Sequence, residues 1–185
     1  MVNIGGYLMP EFAPYGSAQI SAVKSKMEGQ AGSEPTRGSV YLHSGHLHAS
    51  KEPSTITTIL GSCVAVCMWD AVEGVGGATH YLLPNRVGGH YASVRFGNCA
   101  IEQLIGKLLA LGGLHGNLQA KIFGGACIFA GFKSLDEQLG TRNVEVAVQT
   151  LETEGIPIIT HDTGGGQGRK LIFNTDSGDA WVKLL

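Results

Sequence analysis

The chain has 185 residues, 43% of them hydrophobic and 15% charged, with a formal net charge of −2. That length suits one domain with its own core, the composition excludes a disordered chain, and the lack of a basic run argues against nucleic acid as the main partner. No apolar stretch approaches the roughly 20 residues of a membrane-spanning helix, and the N-terminus lacks the charged-then-apolar layout of a signal peptide.

Residues 1–37 are rich in Gly, Ser and Pro, with Pro10, Pro14 and Pro35 as breakers. They predict a loosely ordered extension ahead of a single domain over 38–185. Val40, Tyr41 and Leu42 open that domain as a strand, and a Ser44-Gly45 turn leads to the next around Leu47. His43, His46 and His48 lie here; with no carboxylate or Cys beside them they read as a solvated strand edge and not as a metal site. Thr55–Leu60 predicts another strand. Two β-branched apolar runs then flank the polar segment Asp70–Gly74, one ending at Trp69 and one beginning at Val75, and read as buried strands joined by a hairpin.

Pairing Trp69 near Val75 sets Cys63 opposite His80 to within one residue. Opposed side chains have Cβ atoms about 4.5–5.5 Å apart, close enough for a thiolate–imidazolium pair. An adjacent imidazolium lowers a Cys pKa, and the imidazole then delivers a proton to a leaving amine, which is the chemistry of acyl transfer. A buried structural Cys63 with a satisfied core His80 remains the alternative, because one Cys and one His are a weak signal. Cys67, on the same strand face four residues later, reads as core.

The polar, Gly-containing stretch 85–96 follows His80 directly. It predicts either a lid that contacts substrate or a plain connection. A helix is predicted over Asn98–Leu111 from the stripe Ile101, Leu104, Ile105, Leu108 and Leu109, with Asn98 as N-cap and Gly112-Gly113 as stop. Leu118–Phe123 predicts a strand ending in a Gly124-Gly125-Ala126 turn. A second helix is predicted over Thr141–Glu154, with Arg142 and Asn143 near its start placed to cap it or bind an anion. Ile156–His161 and Lys170–Phe173 predict strands. Between them, Thr163–Arg169 is Gly-rich but lacks a Gly-Lys-Ser/Thr ending and precedes a strand, so it predicts a hairpin turn and not a phosphate loop. Thr175–Asp179 predicts a turn and Ala180–Leu185 the last strand. Two long helices with about eight short strands, many in hairpins, predict an α+β fold: a mixed, largely antiparallel sheet layered with helices. Cys63, Cys67, Cys99 and Cys127 form no zinc or disulfide pattern, which fits a reducing cytoplasm.

Thr57-x3-Gly61-Ser62-Cys63-Val-Ala-Val-Cys67, followed by Gly-Gly-Ala-Thr-His80-Tyr-Leu-Leu-Pro84, resembles the CheD family of chemoreceptor glutamine deamidases. Ala120-Lys-Ile-Phe-Gly-Gly-Ala126, Gly140-Thr-Arg-Asn-Val144 and Asp162-Thr-Gly-Gly-Gly-Gln-Gly-Arg169 resemble the same family's motifs in the same order, so the likeness runs from about Val40 to the C-terminus. It implies a layered α/β sandwich, a catalytic Cys63, His80 and Thr57, and no cofactor. It also implies glutamines of methyl-accepting chemotaxis receptors as substrate and a CheC-type phosphatase as partner. The Phe-Gly-Gly-Ala turn would lie near the site, as a source of oxyanion donors or as a purely structural turn.

Thr57 is nominated by that resemblance alone. It lies six residues before Cys63, about 20 Å away along a straight strand, and reaches the site only if the chain folds back at Gly61. Its role would be to orient His80 through its hydroxyl or backbone carbonyl, and Thr58 is the adjacent competitor. The chemistry expected is attack of Cys63 on a glutamine carboxamide, protonation of ammonia by His80, and hydrolysis of the thioester. A Cys–His hydrolase of another amide or ester, and a non-catalytic adaptor binding receptors and the phosphatase, are the alternatives.

Overall fold

The computed structural model describes residues 36–85, 93–127 and 133–185. All but two residues of the expected extension, and most of the expected lid over 85–96, lie outside them. Within the described residues the strands form two open sheets. One has the order β1 (Gly38–Tyr41), β3 (Ser54–Leu60), β8 (Arg169–Asn174), β9 (Ala180–Leu184). The other has the order β2 (His46–Ser50), β5 (Val75–Tyr81), β4 (Val64–Asp70), β6 (Gln119–Gly124), β7 (Ile158–Thr163). Only β1–β3 and β6–β7 run parallel. Two helices, α1 (Gly97–Ala110) and α2 (Lys133–Thr153), complete the layered α+β arrangement expected from the sequence.

The five-stranded sheet is the middle layer. On one face its Val64, Val66, Met68, Val75, Tyr81 and Ile122 pack with Ile101, Leu104, Leu108, Ala147 and Leu151 of the helices. On the other, Ala65, Cys67, Trp69, Ala78 and Phe123 meet Ile56, Leu60, Leu171 and Phe173 of the four-stranded sheet. Covering on both faces buries every residue of β4 and β5, which is why they read as unbroken apolar runs. β3 is covered on one face only and alternates: Ser54, Ile56, Thr58 and Leu60 are buried and the residues between them are not.

Three sequence expectations are corrected. Thr163–Arg169 does not close a hairpin: β7 and β8 belong to different sheets, and the Gly-rich segment carries the chain from one to the other. The second helix begins at Lys133 and includes Gly140, because a Cβ there would stand 2.5 Å from the Gly125 carbonyl oxygen. That glycine is a point of close approach, not a boundary. In the first helix the capping position falls at Phe96, whose backbone is extended, and Asn98 lies inside the helix. The hairpin between β4 and β5 forms as expected. Asp70 closes it by accepting the backbone N–H groups of Val72 and Glu73. Its register pairs Trp69 with Gly76, one residue from the expected alignment, and Ala65 with His80, so Cys63 falls two residues from the position opposite His80 and outside the expected tolerance.

Candidate active site

The Gly61–Cys63 bend carries the chain from β3 in one sheet to β4 in the other, so the fold-back at Gly61 is a crossing between layers. Because the sheets face each other, the inward side of β3 looks onto the inward side of β5. Thr58 is inward and 1% exposed; its Oγ1 lies 2.9 Å from His80 Nδ1 and 2.7 Å from the Leu42 carbonyl oxygen. Among the described residues Thr57 makes no hydrogen bond to His80. The two-residue period of β3 turns its side chain to the outer face, and its carbonyl accepts the backbone N–H of Leu42. The geometry therefore replaces Thr57 by Thr58 as the hydroxyl beside the imidazole. The signal was present in the sequence: Thr58 falls in step with Ile56 and Leu60, the apolar residues of that strand.

The hydrogen-bond pattern assigns the tautomer of His80. A hydroxyl has one hydrogen, and that of Thr58 is assigned to the Leu42 oxygen, which can only accept. At His80 the same oxygen must accept, so Nδ1 bears the proton and donates to Thr58. Nε2 is left with a bare lone pair and has no partner, although the residue is only 4% exposed. Burial pushes the imidazole pKa down to about 4; the Leu42 carbonyl opposes the shift and the neighbouring His43 adds to it. The result is a neutral imidazole with Nε2 as a hydrogen-bond acceptor.

Cys63 is the residue just before β4. Ala65, Cys67 and Trp69 share the inter-sheet face with Ala78 and His80, and Cys63 is the next position of that series. It stands diagonal to His80 and not directly opposite, a separation of about 7–8 Å between Cα atoms in a regular ladder. Burial raises its thiol pKa, and its own backbone N–H, close to the sulfur, lowers it in part. The expected thiolate–imidazolium pair is thus not the resting state. Burial disfavours both charges, so thiol and imidazole each rest neutral.

Three interactions fix the bend. The Gly61 carbonyl accepts the Ala126 N–H at 2.8 Å, the Ser62 carbonyl accepts Asn143 Nδ2 at 3.0 Å, and the Cys63 carbonyl accepts the Gly125 N–H at 2.9 Å. The Gly124-Gly125-Ala126 turn therefore spends these donors on the bend and is structural, which decides between its two sequence readings. Gly124 has φ +112° and lies so close that a Cβ would stand 2.2 Å from the Cys63 oxygen. Arg169 braces the turn from behind, donating to the carbonyls of Gly124, Asp162 and Gly164 and pairing with the Asp162 carboxylate at 3.0 Å. Sequence reasoning missed Arg169, which it placed only at the end of a Gly-rich turn.

His43 and His46 have ring centroids 6.3 Å apart, and His46 pairs with His80 across β2–β5. Among the described residues no three His, Cys, Asp or Glu side chains converge as metal ligands.

Residues 82–184 match the family model described as CheD chemotactic sensory transduction, a match that begins just after His80. The chain is 45% identical over 149 residues to a probable chemoreceptor glutamine deamidase CheD 1 of Anaeromyxobacter dehalogenans, covering 80% of this chain and 86% of that protein. It is 42% identical over 138 residues to a probable chemoreceptor glutamine deamidase CheD of Trichlorobacter lovleyi, covering 75% and 85% respectively. It is 39% identical over 146 residues to one of Sulfurimonas denitrificans, covering 78% and 93%.

Proposed function

This chain belongs to the CheD family, and on that premise we propose that it hydrolyses glutamine side-chain amides of chemotaxis receptors to glutamate and ammonia, with Cys63 as nucleophile, His80 as base and acid, and Thr58 positioning His80. The observation that supports the site assignment is the buried, unpartnered Nε2 of His80, whose ladder partner Ala65 lies two residues from Cys63.

The reaction starts from the neutral pair. The Cys63 proton passes to His80 Nε2 as sulfur attacks the carboxamide carbon. Charge on the carbonyl oxygen is held by backbone N–H groups of the bend, that of Cys63 foremost. Collapse breaks the C–N bond. The proton on Nε2 goes to the departing nitrogen, ammonia leaves, and a thioester remains. His80 then takes a proton from water, hydroxide adds to the thioester, and glutamate is released with the Cys63 thiol restored. Throughout, Nδ1–H stays on Thr58, which keeps the ring aligned and supports the imidazolium formed in each half-reaction.

The family resemblance also supports a CheC-type phosphatase as binding partner and the cytoplasm as the place of action. No helix of the described residues is long and apolar enough to cross a membrane. The test is ammonia release from a chemoreceptor cytoplasmic fragment. The native protein releases ammonia, and Cys63→Ala does not while keeping its fold. Equal release by both overturns the proposed nucleophile.

A further inference from the structure

Asn143 lies on α2, is fully buried, and touches both chain segments that carry the proposed chemistry. Its Nδ2 donates to the Ser62 carbonyl and to the Leu82 carbonyl, each at 3.0 Å. Both neighbours are acceptors, so the amide must present its nitrogen there, and both of its hydrogens are used. Its own backbone carbonyl accepts the Tyr81 hydroxyl at 2.5 Å. The helix is thereby tied to the residue before Cys63 and to the two residues after His80. Oδ1 is left buried without a partner. A group held in that state is unfavourable for stability, and an apolar side chain would avoid it.

The peptide plane gives the arrangement its meaning. No peptide bond here is cis, so the carbonyl of each residue and the N–H of the next point in opposite directions. The carbonyls of Gly61 and Ser62 are tied down to Ala126 and Asn143. The N–H groups of Ser62 and Cys63 therefore point the other way. Neither has a backbone acceptor among the described residues, and that of Cys63 lies by its own sulfur. The Ser62 N–H, with no backbone acceptor, and the Cys63 N–H beside the sulfur are the kind of donors an oxyanion needs.

We infer that Asn143 is a positioning residue that fixes the Ser62–Cys63 peptide so that the Cys63 N–H faces the developing oxyanion. The inference rests on the deamidase reading of the site. It makes a separable claim: Asn143 acts on the tetrahedral transition state and not on the reactivity of the thiol. Alkylation by iodoacetamide is displacement at a saturated carbon and creates no oxyanion, so the two reactions respond differently to loss of the clamp.

The experiment compares the native protein with Asn143→Ala and Asn143→Ser in two assays. One is kcat and KM for deamidation of a chemoreceptor cytoplasmic fragment. The other is the rate and pH profile of iodoacetamide alkylation, followed by mass spectrometry of the Cys63 peptide. Asn143→Ala lowers kcat by about 10- to 100-fold, in line with a weakened oxyanion donor. KM and the alkylation profile stay within about threefold of native. Asn143→Ser keeps one donor, recovers part of kcat, and carries the comparison if the alanine variant does not fold. An unchanged kcat overturns the inference. So does a parallel fall in kcat and alkylation, which would make Asn143 a plain scaffold. A native protein that is alkylated normally yet releases no ammonia overturns the deamidase reading, and this inference with it.

Discussion

The hydroxyl of Thr58 has one hydrogen, and its direction decides the chemistry of His80. Thr58→Val keeps the shape but leaves His80 Nδ1 and the Leu42 carbonyl without that partner. Removing one side of such a buried pair costs about 1–3 kcal/mol, so kcat is expected to fall about 10- to 100-fold. Thr58→Ser restores most of it. Thr57→Ala stays within about twofold of native, since its side chain lies on the outer face. Steady-state deamidation rates of the three variants check this, and a larger loss for Thr57→Ala would contradict the assignment. The family motif pointed to position 57 by spacing; the strand period points to 58, because only the even residues of β3 face the second sheet. The same imidazole sets the pH response. Its pKa is held at about 4, against about 6.5 for an exposed histidine. The unfolded chain binds a proton between those values that the folded chain does not. This group's contribution to stability is therefore full above about pH 6.5 and is lost as pH falls towards 4, roughly 3 kcal/mol in all. The acid limb of kcat/KM is expected below pH 5, and a limb centred near 6.5 would show that His80 is not held neutral.

At the scale of elements, the Gly124-Gly125 turn and α2 meet through Gly140. A Cβ at Gly140 would stand 2.5 Å from the Gly125 oxygen and 2.9 Å from its carbon, both backbone atoms. Gly140→Ala is expected to destabilise the fold by about 1–3 kcal/mol, as overpacking does, and to lower activity by shifting the turn that holds Cys63. Gly106 in α1 is the contrast: it is exposed and a Cβ there meets nothing within 4 Å. Gly106→Ala is expected to stabilise by about 0.5–1 kcal/mol through helix propensity. Urea denaturation of both variants measures the signs, and equal effects would mean that Gly140 is not a contact point. Sequence periodicity reads α1 well because its apolar stripe is regular. It starts α2 too late because a glycine demanded by a neighbouring backbone looks like a helix stop.

At the scale of the molecule, the site exists because two sheets face each other. Strand runs and the β4–β5 hairpin are legible from local patterns, and with them the α+β class and the nearness of Cys63 and His80. The split into two sheets is not: Gly-rich segments such as Thr163–Arg169 serve a hairpin or a crossing equally well, and only distant partners decide. The inter-sheet core carries that arrangement. Phe173 is fully buried there, with its ring centroid 6.3 Å from that of Trp69. Phe173→Ala is expected to cost about 3–5 kcal/mol in urea denaturation. A loss below 1 kcal/mol would contradict the packing of the layers. The central claim, that this sandwich is a cysteine-dependent glutamine deamidase, is tested most directly by intact-mass spectrometry of a chemoreceptor cytoplasmic fragment incubated with the native protein and with Cys63→Ala. Steps of about one dalton per converted glutamine are expected with the native protein alone, as hydrolysis through a thioester requires. A cognate receptor fragment unchanged in mass by the native protein, or shifted equally by Cys63→Ala, would contradict it.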